Sequence, residues 1–164
     1  MTSRRTLLKT GLAGGVVLAA GGLAATIAGR DAAADRAGVL RAVIPALLGD
    51  ALPAAAPARG AAVERCRETV DAAIAGLSAA SRRELDQLFA LLAMPPTRVA
   101  LTGVAGAWES ASDAQVSAFL GRWREHRVAL LQSGYQALHD LVAGAWYSDP
   151  ASWTAIGYPG PIAL

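Results

Sequence analysis

Apolar residues return every three or four positions through most of the chain, and no run alternates convincingly as a strand would. Val39, Leu40, Val43 and Ile44 make a short apolar face, which the nearby Pro45 is expected to end. Residues 47–57 hold Pro53 and Pro57 among alanines and read as a loop. Val63, Cys66, Val70, Ile74 and Leu77 then step by three or four, predicting a helix from about Gly60 to Leu77. Glu64 and Glu68 lie toward its start, where the helix dipole favours negative charge.

Ser81 and Glu84 have the spacing of a capping box, ahead of an apolar face at Leu85, Leu88, Phe89 and Leu92. Pro95-Pro96 stops that helix. The stretch from Arg98 to Trp108, broken by Gly103 and Gly106, predicts no definite element. Ser112 is placed to cap the longest periodic run, through Val116, Phe119, Leu120, Trp123, Leu130, Leu131, Leu138 and Val142. Gly121 and Gly134 fall inside it, each lowering helix propensity by about 1 kcal/mol against alanine, so a break is expected near Gly134. The sum is an all-α chain: a small bundle of four or five helices, followed by an extended aromatic C-terminal tail.

The tail reads WYSDPASWTAIGYPGPIAL. Ser148 or Asp149 is placed to cap a short turn that Pro150 opens, where its missing N–H costs nothing. Gly157 suits the end of such a turn, and Pro159 and Pro161 hold the last residues of the chain extended. Trp146, Tyr147, Trp153 and Tyr158 are four of the chain's nine Trp, Tyr and Phe rings. Two readings stand: the rings pin the tail to its own bundle, or they face a partner, since Trp and Tyr are favoured interface anchors.

The other end of the chain has the order of an export leader. A basic segment precedes an uncharged run from Thr10 to Gly29, and Ala32-Ala33-Ala34 follows as an A-x-A pattern. The run is rich in glycine and alanine, less apolar than a typical membrane helix. Ser3-Arg4-Arg5-Thr6-Leu7-Leu8-Lys9 resembles the twin-arginine export motif S-R-R-x-F-L-K, with Leu7 in the usual phenylalanine position. Residues 1–34 are thus expected to be a twin-arginine signal peptide and residues 35–164 the helical domain, placed in the periplasm. Cleavage before Asp35 is the first expectation. Retention as a membrane anchor is the other, because about 20 uncharged residues just span a bilayer.

Charge sharpens this division. Of 15 basic and 13 acidic residues, residues 1–34 hold four basic (Arg4, Arg5, Lys9, Arg30) and one acidic (Asp31), leaving 11 and 12 for the domain. A domain with net charge −1 lacks the basic stripe that nucleic-acid binding needs. The single cysteine, Cys66, has no partner for an internal disulfide and is expected to be buried on its helix, with pairing to another chain as the alternative. His126 and His139 lie 13 residues apart with no adjacent ligand, which suits solvent exposure or a structural hydrogen bond better than a metal. Asp140 adjoins His139, but helix neighbours are expected to point apart. No dinucleotide fingerprint, P-loop, G-x-S-x-G elbow or C-x-x-C-H occurs, so no catalytic, cofactor or metal site is assigned to this chain.

Leader and tail together resemble the gluconate 2-dehydrogenase subunit 3 family, small subunits of membrane-associated flavin-dependent sugar and alcohol dehydrogenases. The family's terminal signature, Y-x-x-P-x-x-W-x-x-x-G-Y-x-G-P, is matched by Tyr147, Pro150, Trp153, Gly157, Tyr158, Gly160 and Pro161. The middle of the chain matches only in helical character and length. The resemblance implies a non-catalytic subunit that escorts an FAD-bearing large subunit, of the glucose–methanol–choline oxidoreductase type, through the twin-arginine translocase. It also implies a c-type cytochrome as a further member of the complex. Ser3, Arg4, Arg5, Leu7, Leu8 and Lys9 would then carry targeting, and the seven tail residues would carry docking. A free-standing periplasmic helical binding protein is the second expectation.

Overall fold

The computed structural model describes residues 31–153 and Pro159. Seven α-helices form among them: α1 (Ala32–Leu48), α2 (Ala56–Ala75), α3 (Ala79–Ala93), α4 (Pro95–Thr102), α5 (Asp113–Arg124), α6 (Ala129–Ser148) and α7 (Pro150–Trp153). Two 3-10 turns, Gly49–Ala51 and Trp108–Ser110, complete the order, and there is no strand among the described residues. Five of the helices have 12 residues or more and make the expected all-α bundle. The first helix among the described residues, α1, starts at Ala32, so it includes the three residues before the expected boundary at Asp35.

Helix α1 is the centre of the bundle, touching α2, α3, α5 and α6. Val39, Leu40, Val43 and Ile44 are fully enclosed, as are Val70, Phe89, Leu92, Phe119, Leu138 and Val142 from the surrounding helices. Each such side chain contributes about 1.5–3 kcal/mol of burial, which offsets the ordering of its helix. The helix does not end at Pro45 but runs through it to Leu48. Pro45 removes one backbone donor, yet the enclosed residues on the preceding turn keep the segment wound. Similarly, α2 starts at Ala56 rather than near Gly60, because Pro57 sits in its first turn and opens the helix instead of excluding it.

Two capping expectations resolve differently. Helix α3 is capped by Ser78, whose Oγ accepts from the Ser81 backbone N–H at 3.2 Å; Ser81 therefore lies inside the first turn, and the Ser81–Glu84 box is not formed. Ser112 does cap α5, in a reciprocal box: Ser112 Oγ accepts from Gln115 N at 3.3 Å, and Gln115 Oε1 accepts from Ser112 N at 3.0 Å.

Pro95 and Pro96 end α3 and also open α4. Two prolines leave the carbonyls four residues earlier, Leu91 and Leu92, without helical donors. Side chains replace them. Thr97 Oγ1 donates to the Leu91 carbonyl, the Trp108 indole N–H to that of Leu92 at 2.9 Å, and the buried Arg98 to that of Ala93 at 3.2 Å. The end of α4 is finished in the same manner. Trp123 Nε1 donates to the Leu101 carbonyl at 2.9 Å, Arg122 donates to Thr102, and Gly103 takes the left-handed backbone (φ 73°) that closes the helix. Trp108, Phe119 and Trp123 meet in series, tilted and then edge to face, with centroids 5.7 and 5.6 Å apart, and tie this double turn to α5.

Candidate docking surface

The end of α6 and the start of the tail form one hydrogen-bonded unit. Asp149 leaves the helix in an extended conformation (ψ 117°), and its Oδ1 accepts from Ala151 N at 2.9 Å, capping the single turn that Pro150 opens. The last carbonyls of α6 lie past most helical donors, and side chains supply further bonds to them. Ser148 Oγ donates to the Ala145 carbonyl at 2.9 Å. Ser152 Oγ lies 2.8 Å from the carbonyls of both Trp146 and Asp149. Trp153 Nε1 donates to Tyr147 at 2.9 Å. Helix α7 is therefore the C-cap of α6. A longer contact, Arg65 Nε to Asp149 Oδ2 at 3.6 Å, joins this corner to α2.

The expected docking residues divide on this frame. Tyr147 stands on the last turn of α6 with 52 % of its surface exposed, one of three large apolar side chains so exposed among the described residues. Pro150 is exposed, and Trp153 is half-buried with its N–H engaged. Gly157, Tyr158, Gly160 and Pro161 lie outside the described residues, as do the targeting residues Ser3, Arg4, Arg5, Leu7, Leu8 and Lys9. Trp146 points the other way, 5 % exposed in the core, and its indole nitrogen has no hydrogen-bond partner. The described tail rings divide: Trp146 pins the end of the bundle, and Tyr147 faces outward.

Ser152 and Arg65 were not singled out in the sequence. A signal for Ser152 exists in the Asp149-Pro150-x-Ser152 order, which places a hydroxyl three residues after a cap. Nothing local marks Arg65, whose partner is 84 positions away.

No family model, curated protein or solved structure matches this chain. What the described surface can do chemically therefore rests on its own groups.

Cys66 is buried under α6, its Sγ 3.8 Å from the Val142 carbonyl, and the thiol is pushed up to about 11, first by burial and then by the charge of Asp149. A thiol so placed is a packing group rather than a nucleophile or a bridge to another chain. His126 accepts from Val128 N at 3.1 Å in the turn between α5 and α6. His139 stacks on Tyr135 and its Nδ1 lies 3.2 Å from Asp140 Oδ1. These neighbours thus meet rather than point apart, because both side chains are about half in solvent and can turn toward each other there. Among the described residues no three His, Cys, Asp or Glu side chains are grouped to hold a metal ion.

A cleft of about 460 Å³ lies between α4 and α5, and a second of about 500 Å³ between α1 and α2. Their polar linings are already engaged. In the first, Arg122 and Thr102 bond to α4 carbonyls and Gln115 belongs to the capping box. In the second, Arg41 pairs with Glu64, and Arg59 donates to the Gly49 carbonyl. No single helix among the described residues is long and apolar enough to cross a membrane.

Proposed function

We propose that this chain is the non-catalytic small subunit of a periplasmic FAD-dependent dehydrogenase, which it escorts through the twin-arginine translocase and then stabilises. The observation that carries the proposal is the pairing, in one small helical chain, of the Ser3–Lys9 leader motif with the Tyr147–Pro161 tail signature. The corner at α6 and α7 supports it: a hydrogen-bonded turn closes the end of α6 and leaves Tyr147 exposed on its last turn. An exposed aromatic ring on an ordered backbone anchors a partner at little entropic cost. Flavin loads in the cytoplasm, so a folded large subunit needs a route that carries folded cargo and a partner that bears the label for it.

The test is co-expression of the chain with a flavoprotein dehydrogenase large subunit, following dehydrogenase activity in the periplasm. Activity there that depends on the pair Arg4 and Arg5 supports the escort role. Activity that still reaches the periplasm with Arg4→Lys and Arg5→Lys overturns it. A purified domain that is colourless, monodisperse and cooperative in melting, and that takes up no flavoprotein, marks the free-standing binding protein instead.

A further inference from the structure

The sequence places a peptidase site at Ala32-Ala33-Ala34, with the bond to be cut between Ala34 and Asp35. The structure winds that site into the first turn of α1. Asp31 caps it, its Oδ1 accepting from Ala33 N at 3.0 Å and Ala34 N at 3.2 Å. The amide of the bond in question, Asp35 N, donates to the Asp31 carbonyl at 2.9 Å. A peptidase holds its substrate as an extended strand and pairs with these same amides. In this fold they are taken.

The residues just beyond leave no slack. Arg36 is fixed by two helices at once, Nε to Asp71 of α2 at 2.6 Å and Nη1 to Asp86 of α3 at 3.0 Å, and its side chain is 14 % exposed. Val39 and Leu40, one turn further, are fully enclosed. Drawing Ala32 to Arg36 into an extended strand would break the cap, the first helical bond and both ion pairs, and would press the peptidase against the body of the bundle. A chain exported folded presents the site already wound and already packed.

We propose that the leader is not removed: the chain crosses folded and stays tethered by residues 1–30. This rests on the twin-arginine reading of Ser3–Lys9. The test is the intact mass of the full chain recovered from membrane and soluble periplasmic fractions, alongside a variant with a short Gly-Ser spacer inserted between Ala34 and Asp35. The expected result is an uncut wild-type chain in the membrane fraction, and a spacer variant shortened to the residue after Ala34 and released. A wild-type chain beginning at Asp35 overturns the proposal. So does a spacer variant that stays uncut, since the wound first turn would then not be the cause. Failure of the underlying reading looks different: the chain remains in the cytoplasm, or is exported equally well with Arg4→Lys and Arg5→Lys.

Discussion

The six-membered ring of the Trp123 indole packs directly against Gly134: a β-carbon at Gly134 would stand 2.7 Å from Trp123 Cζ3 and 3.1 Å from Cε3. The glycine is fully inside α6, and its missing side chain is what lets α5 and α6 close on each other. The ring cannot simply swing away, because its N–H is bound to the Leu101 carbonyl and its edge meets Phe119. Gly134→Ala should therefore destabilise the domain by about 1–3 kcal/mol through overpacking, despite a helix-propensity gain of about 1 kcal/mol. Gly121, also within a helix, has nothing within 4 Å of its would-be β-carbon, so Gly121→Ala should stabilise by up to about 1 kcal/mol. Urea denaturation of the two variants checks the sign of each.

This pair also marks how far the sequence could be read. Periodicity located the apolar faces of α1, α2, α3, α5 and α6, since those faces are what the core consists of. It misplaced the break in the longest run. The interruption falls between Arg124 and Ala129, where His126 accepts from the Val128 amide, while Gly134 continues as helix. Glycine in a helix reads as weakness from propensity alone; only a ring from another helix reveals it as a fit. Pro45 and Pro57 mislead in the same way. A proline marks the edge of a local hydrogen-bond pattern, but whether the chain winds on is decided by distant packing and by side chains such as Trp108, which supplies a missing donor from 16 residues away. At the tail, the local Asp149-Pro150 turn was legible. The roles of Ser152 and Arg65 depend on the folded corner and were not.

The substitution of that donor can be tested at Trp108, which is 4 % exposed. Trp108→Phe retains most of the apolar volume and the neighbouring ring of Phe119, but leaves the Leu92 carbonyl without the N–H that stands in for Pro96. A buried acceptor stripped of its partner costs about 1–3 kcal/mol. The expected loss should appear as a lower urea midpoint at unchanged slope.

Acid should weaken the bundle through an ion-pair chain across α1, α2 and α3. Asp86, Arg36, Asp71, Arg67, Glu64 and Arg41 are linked in succession by contacts of 2.5–3.0 Å. Hydrogen bonds from Arg41 and Arg67 hold the Glu64 carboxyl down at about 2, against an ordinary 4.5. A folded-state value below the unfolded one contributes stability that is whole above pH 4.5 and is lost as pH falls from there toward 2. Glu64 is 40 % exposed, so the effect is reduced by solvent and should shrink further with salt. Glu64→Gln should flatten the fall in melting temperature across that window, most clearly at low ionic strength.

Cys66 should be silent in the folded protein. Its thiol is 4 % exposed and its pKa of about 11 keeps the thiolate scarce at mildly alkaline pH. A water-soluble disulfide reagent should label it only as urea unfolds the domain, with a labelling midpoint matching the loss of helical signal. Rapid labelling without denaturant would show that α2 and α6 part at Cys66 and Val142, and would reopen the reading of a bridge to another chain.

The corner at Ser152 separates support from contact. Ser152 is 1 % exposed and its hydroxyl reaches two carbonyls, yet both keep backbone donors: Asp149 N to Trp146 at 3.2 Å and Ser152 N to Asp149 at 3.0 Å. Ser152→Ala should therefore lower global stability by only about 1 kcal/mol, because no acceptor is left bare. Its local effect should be larger, since α7 is one turn long and this hydroxyl, the Asp149 cap and the Trp153 N–H all tie it to α6. Amides of residues 151–153 should exchange faster, while those of Val142 and Ala145 stay protected. Tyr147→Ala should do the reverse, leaving exchange at the corner near wild type, because about half of Tyr147 is in solvent and the Trp153 bond is to its backbone. If Tyr147 is a docking anchor, that variant loses its flavoprotein while keeping its fold; if both variants lose protection equally, the ring is part of the support and the proposed contact face is wrong.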